Sequence, residues 1–201
     1  SLLKGTEFAQ VCADGTTSEN IWTMKWSYQN NKQNWIIYMM CRTAAPQMIP
    51  SEGVKNLWNT EEYRVDLRRY QTIDTTIVYA SNHISSPNGD ASIWKWQPGE
   101  RVIEANEKYV PFYRYADILL LRAEALNKQQ RQEEALELLN MIRERAGLSL
   151  KTMDDFTNAS DRTLAIEDAI LQERQLELLG EGRRWFDLIR TGRAMKVMND
   201  Y

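Results

Sequence analysis

The stretch Tyr113-Arg114-Tyr115-Ala116-Asp117-Ile118-Leu119-Leu120-Leu121-Arg122-Ala123-Glu124-Ala125-Leu126-Asn127-Lys128 decides the fold. Its apolar residues Ala116, Leu119, Leu120, Ala123 and Leu126 recur at three- and four-residue spacing, which lines them along one face of an α-helix. Residues 131–146 repeat the pattern with Ala135, Leu138, Leu139 and Ile142, and Gly147 stands where a left-handed C-cap is wanted. Two helices separated by so short a joint form an antiparallel hairpin.

Working outward, a third helix is expected over about 163–179, with Gly180 and Gly182 bracketing its end. A fourth starts at 184–189 and meets Gly192. The polar linker 149–161 carries Phe156 as its anchor. Within the first hairpin Ala123 and Ala135 lie twelve apart, each followed by a bulky residue, Leu126 and Leu139. That spacing of small residues matches a tetratricopeptide repeat, although the repeat's tyrosine and proline are missing. One hairpin cannot bury its face alone, so neighbours are required.

The upstream half has another texture. All five prolines and six of the seven tryptophans precede Phe112, and proline interrupts helices. Residues 21–28 alternate Trp22, Met24, Trp26 and Tyr28 with polar residues and read as a strand, with both tryptophans in the core. Residues 35–42 read as a strand buried on both faces, and 92–97 as a third that places Trp94 and Trp96 together. Residues 51–69 read as one or two short helices, and 85–90 as a turn. The fold class is therefore mainly α: tetratricopeptide-like hairpins (113–147 and about 163–198) with an irregular, partly β N-terminal half. Regions 1–110 and 111–201 are expected to form one structural domain, cut from a longer protein.

Composition narrows the chemistry. The chain has 201 residues, 43% hydrophobic and 26% charged, which excludes a disordered tail, a collagen-like rod and a disulfide-dense miniature. A net charge of −3, with Lys and Arg interleaved among Asp and Glu, offers no track for nucleic acid. One histidine, His83, and two cysteines, Cys12 and Cys41, leave little for a metal site, and no cofactor is expected. Cys12 and Cys41 fit either a pair in an oxidising compartment or two thiols. No phosphate-binding glycine motif occurs. The opening residues are not a signal peptide, and the longest apolar run, 35–41, is too short to span a bilayer as a helix.

Three blocks give the chain a relative. Pro111 to Asn127 resembles the signature of the SusD/RagB family, surface glycan-binding lipoproteins of Bacteroidetes. Leu139-Asn140-Met141-Ile142-Arg143-Glu144-Arg145-Ala146-Gly147-Leu148 resembles the next block. The third comprises Glu173-Arg174, Glu177-Leu178 and Glu181-Gly182-Arg183-Arg184-Trp185-Phe186-Asp187-Leu188-Ile189-Arg190-Thr191-Gly192. Asp66-Leu67-Arg68-Arg69 is similar to an upstream family segment. The resemblance implies the C-terminal region of a non-catalytic protein that captures oligosaccharides for a SusC-like TonB-dependent transporter, with the helical face docking the transporter. It also implies a cell-surface, outer-membrane location through an N-terminal lipid anchor outside this chain. Its motif residues here are Arg114, Tyr115, Glu124, Asn140, Arg143, Glu173, Arg174, Glu177, Arg184, Trp185, Asp187 and Arg190.

Each motif also has a plainer reading. Glu173, Glu177 and Glu181 stack at i, i+4, i+8, and paired carboxylates are what glycoside hydrolysis requires. The arginines around them keep carboxylates ionised, the opposite of what a general acid needs, so the group reads as a structural ion-pair network. Trp185 and Phe186 read as a wedge between helices. Sugar rings present flat C–H faces to exposed aromatics on loops, which makes Trp35, after Asn30-Asn31-Lys32-Gln33-Asn34, and Trp58 the leading binding candidates. Trp96 is a third, although its alternation favours a packed face. Two other readings stand: a cytosolic repeat adaptor that binds peptide, and a scaffold with no sugar site of its own.

Overall fold

The computed structural model describes residues 1–13, 15–25, 49–74, 92–93, 95–96 and 109–200. The chain divides into two compact units, one of Ser1–Tyr115 with Arg145–Leu148 and one of Ala116–Glu144 with Ser149–Tyr201. The expected strand at 35–42, the turn at 85–90, and Trp26, Trp35, Cys41, His83 and Trp94 lie outside the described residues.

In the first unit, helix α1 (Gln10–Ala13) precedes strand β1 (Asn20–Met24). Helix α2 (Glu52–Asn59) begins at Ser51, whose side chain accepts the Val54 N–H. Helix α3 (Arg69–Thr72) runs into β2 (Ile73–Asp74), which pairs antiparallel with β3 (Ser92–Ile93). Strand β4 (Val110–Arg114) pairs antiparallel with β1, so Tyr113 and Arg114, read as the start of the first helix, belong to the sheet instead. Val11, Cys12, Ile93 and Trp96 form a buried cluster flanked by Leu3 and Val110.

The organising charge of this unit is Glu19, fully buried. Its carboxylate accepts Arg114 Nη1 and Arg145 Nη1, both at 2.7 Å, and the Leu3 N–H at 3.0 Å. The Glu19 carbonyl accepts the Tyr115 N–H at 2.8 Å. Arg114, Arg145 and Lys95 also lie over the Phe8 ring, 5.7, 5.2 and 4.5 Å from its centroid. Arg145 thus belongs here through its side chain, and its neighbour Ala146 accepts the Leu67 N–H.

The second unit is helical, as the periodicity dictates. Helices α4 (Tyr115–Lys128) and α5 (Gln132–Arg145) are joined through Gln130 in the left-handed region, and Gly147 at φ +75° closes the second. Ala116, Leu119, Leu120, Ala123 and Leu126 are buried along α4, as are Ala135, Leu136, Leu139 and Ile142 along α5. Phe156 anchors the linker, and Asp161 caps α6 (Arg162–Glu177) by accepting the Leu164 N–H. Short helices α7 (Arg184–Arg190) and α8 (Ala194–Asn199) follow, separated around Gly192 at φ +70°.

Candidate functional site

Two tryptophans proposed as sugar platforms are interior residues. Trp58 is 1% exposed, and its indole N–H donates to Asp66 Oδ2 at 3.1 Å. Asp66 is itself buried and accepts Arg68 through Nε (2.9 Å), Nη2 (2.8 Å) and its backbone N–H (2.9 Å). Trp58 thus completes a buried charge pair. Trp96 is also 1% exposed and packs in the Val11–Cys12–Ile93 cluster. Neither ring offers a face to a ligand.

The opposite correction applies to Trp22. Strict alternation would bury it, yet it is 56% exposed. The β1–β4 register is irregular on both sides of it, between Asn20 and Trp22 and between Trp22 and Thr23. Such bulges re-aim side chains. Trp22 lies opposite Tyr113, its ring stacked at 6.0 Å from that of Tyr113 and at 4.8 Å from that of Phe112. Tyr113 is 44% exposed, and Ile21 and Met24 beside it are exposed too. The result is an aromatic platform on a strand pair whose root is fixed by Glu19, Arg114 and Arg145. At one end Lys25 extends over the Tyr109 ring. Trp–aromatic pairing across a strand register was the signal available in sequence, but it needs knowledge of which strands pair.

The motif residues of the second unit form a network of a different kind. Arg174 is buried; its Nε donates to Asp187 Oδ2 at 2.9 Å, and its Nη1 lies 2.9 Å from Asp117 Oδ1. Asp187 also accepts Arg190 through Nε and Nη2, and Arg190 reaches on to pair with both oxygens of Glu124. The hydrogen bonds that Arg190 donates to Glu124 outweigh burial and, with those to Asp187, raise the Arg190 pKa above its ordinary value. Arg143 donates to Glu173 Oε2 at 3.0 Å and to the Ser149 carbonyl at 2.8 Å. Asn140 clasps Lys151 by both its N–H and its carbonyl at 2.8 Å, and Arg184 donates to the Leu171 carbonyl. Glu177 is fully buried. The arrangement matches fixed, paired charges joining helices.

Two residues of the same motif depart from expectation. Trp185 and Phe186, read as a wedge, are 51% and 66% exposed. The helix that carries them turns Asp187 and Leu188 inward instead. Among the described residues, no group of three or more His, Cys, Asp or Glu side chains is placed to hold a metal ion. No helix there is long and apolar enough to cross a membrane.

Comparison with known proteins gives these features a context. The SusD family model matches residues 95–201. SusD-like protein P38 of Formosa agariphila is 53% identical over 89 residues, 43% of this chain and 18% of that protein. A crystal structure of a SusD homolog from Bacteroides thetaiotaomicron shares the fold at 27% identity with a TM-score of 0.71, over 96% of this chain and 41% of the other. Surface glycan-binding protein A from the same organism shares the fold at a TM-score of 0.62 and 23% identity, over 96% of this chain and 47% of the other. The chain thus spans less than half the length of each of these relatives. With the family's blocks in order along a mainly helical, tetratricopeptide-like fold, the chain belongs to the SusD family.

Proposed function

We propose that this chain is the C-terminal region of a cell-surface protein that captures oligosaccharides at the outer membrane and hands them to a SusC-like TonB-dependent transporter without cleaving them. Family membership supports the general role, and a solved protein of the same fold is itself named a surface glycan-binding protein. The observation that carries a sugar site within these residues is the platform of exposed Trp22 and Tyr113 with half-buried Phe112 stacked against Trp22. A pyranose ring lays its C–H face on such a surface through dispersion and the ring quadrupole, while its hydroxyls stay available to polar neighbours. A platform fixed by the Glu19 cluster needs little ordering on binding.

Binding without hydrolysis is favoured by the charge arrangement. Glu173, the best placed member of the carboxylate stack, is buried and paired with Arg143 at 3.0 Å, a fixed contact within the scaffold rather than a group open to a substrate. The lipid anchor and the surface location follow from the family and belong to the full-length protein.

The test is affinity electrophoresis of the full-length protein through gels cast with a panel of polysaccharides. Retardation by at least one of them is expected, and Trp22→Ala should weaken that binding by about tenfold or more, as truncating a central aromatic anchor does. Trp58→Phe, a change in the interior, should leave retardation intact. If Trp22→Ala migrates like the parent, the platform is not the site and Trp35→Ala becomes the next variant. Passage of the parent unretarded through every gel, with no binding of short oligosaccharides by calorimetry, removes the proposal.

A further inference from the structure

Arg69 breaks a rule that other arginines of this protein obey. Arg68, Arg114, Arg143, Arg174, Arg190 and Arg193 each meet a carboxylate. Arg69, half-buried at the start of α3, is held by neutral groups instead. Its Nη1 donates to the Trp58 carbonyl at 3.2 Å, and its Nη2 to Asn59 Oδ1 at 3.1 Å. Both acceptors lie in the last turn of α2, where partial negative charge favours a cation. Trp58 is itself tied to buried Asp66, so the guanidinium rests on a fixed base. This capping role leaves donors over. The remaining guanidinium N–H groups, and those of the Asn59 amide, meet no acceptor among the described residues.

Beside it Tyr70 is 73% exposed, its ring centroid 5.6 Å from Arg69 Cζ. The place therefore offers a fixed cation for an oxyanion, an aromatic ring for a C–H face and an amide donor for a hydroxyl. An oxyanion carried on a pyranose ring uses all three. An anionic membrane suits the place less well, because it is drawn by clusters of Lys and Arg. The flanking charges are mixed: Glu61, Glu62 and Arg64 are exposed in the preceding turn, Arg68 is paired with Asp66, and Lys55 with Glu52.

We propose that Arg69, Tyr70 and Asn59 form a second saccharide site, which takes an acidic sugar through its carboxylate or sulfate ester. The kind of ligand rests on the glycan-capture reading; the site itself is separate from the Trp22 platform. The test is modification of arginines in the full-length protein by phenylglyoxal, followed residue by residue by peptide mass spectrometry. Without ligand, Arg69 should react faster than Arg143, which is buried and paired with Glu173. Glucuronate, galacturonate or a glucose sulfate at about 20 mM should slow Arg69 about threefold, the protection given by a site with Kd of about 10 mM. Glucose and sodium chloride should not slow it. Which acid protects tells carboxylate from sulfate. Tyr70→Ala should lose most of the protection and Trp22→Ala should keep it, so failure of the platform and failure of this site are read separately. The proposal is overturned if Arg69 does not react, if none of the acidic sugars protects it, or if acetate or inorganic sulfate protects it as well as they do. Protection that survives Tyr70→Ala overturns it too, as does protection lost in Trp22→Ala, which assigns Arg69 to the platform.

Discussion

Asp187 shows how much one side chain can organise. It sits at 3% exposure and is held by two arginines, one of which, Arg174, is equally buried. Removing the carboxylate strands the Arg174 charge with only Asp117 beside it. Asp187→Ala should therefore cost about 3–5 kcal/mol of stability, read as a lowered urea midpoint at unchanged slope. Trp58→Phe is a subtler case: the ring volume is largely kept and the donor to Asp66 is lost, so about 1–2 kcal/mol is expected in the same assay. These outcomes would reverse the ranking that size alone suggests. The ion-pair character of Glu173, Asp187 and their arginines was legible because carboxylates and guanidinia alternate along the segment. The exposure of Trp185 was not, because periodicity gives the apolar side of a helix without saying whether its partner lies in the same stretch of chain.

At the scale of elements, caps and charges at helix ends decide where the second unit turns. Glu167 on α6 is buried and accepts Lys128 at the end of α4 (2.6 Å) and Arg193 before α8 (2.8 Å). Burial pushes its pKa up, but the hydrogen bonds from Lys128 and Arg193 outweigh this and hold the carboxyl below its ordinary value. A folded-state pKa below that of the unfolded chain contributes stability above the unfolded value, about 4.3 for Glu. That contribution is lost as pH falls through the depressed folded value. The stability difference between parent and Glu167→Gln should therefore be largest at neutral pH and shrink below about pH 4.3, in urea titrations at stepped pH. A difference constant from neutral to acid would show that the carboxylate acts only through shape. Gly147 offers the backbone counterpart. At φ +75° it ends α5, and a Cβ there would also meet Leu67 Cγ at 3.4 Å. Gly147→Ala should cost about 1–2 kcal/mol in thermal or urea melts. The helices and this glycine were readable from the 3.6-residue period. Strand β1 was found but its facing was not, since the register irregularities around Trp22 override the period of two.

For the whole molecule, the informative feature is how the chain is shared between its units. The change of texture near Pro111, from proline-rich sequence to a 3.6-residue period, was legible in the chain. The return of Arg145–Leu148 to the first unit was not, because it rests on the bond from Arg145 to Glu19, far apart in sequence, and on the Ala146 carbonyl. This sharing is asymmetric. If the first unit unfolds, the second is left with a four-residue free link, Arg145–Leu148; if the second unfolds, the first must close a loop of 29 residues, Ala116–Glu144. Loop closure grows as the logarithm of length, which makes the second situation worse by about 2 kcal/mol. That difference biases the first unit to unfold at the same urea concentration as the helical unit or at a lower one. Six of the seven tryptophans precede Phe112, so in a Trp185→Phe background indole fluorescence reports the first unit. Far-ultraviolet circular dichroism is weighted toward the long helices α4, α5 and α6 of the second. A fluorescence midpoint at or below the dichroism midpoint is expected. A fluorescence midpoint above it would mean that the first unit holds its place without the segment that α5 delivers, and that Arg145 is a contact of convenience rather than the anchor its bond to Glu19 implies.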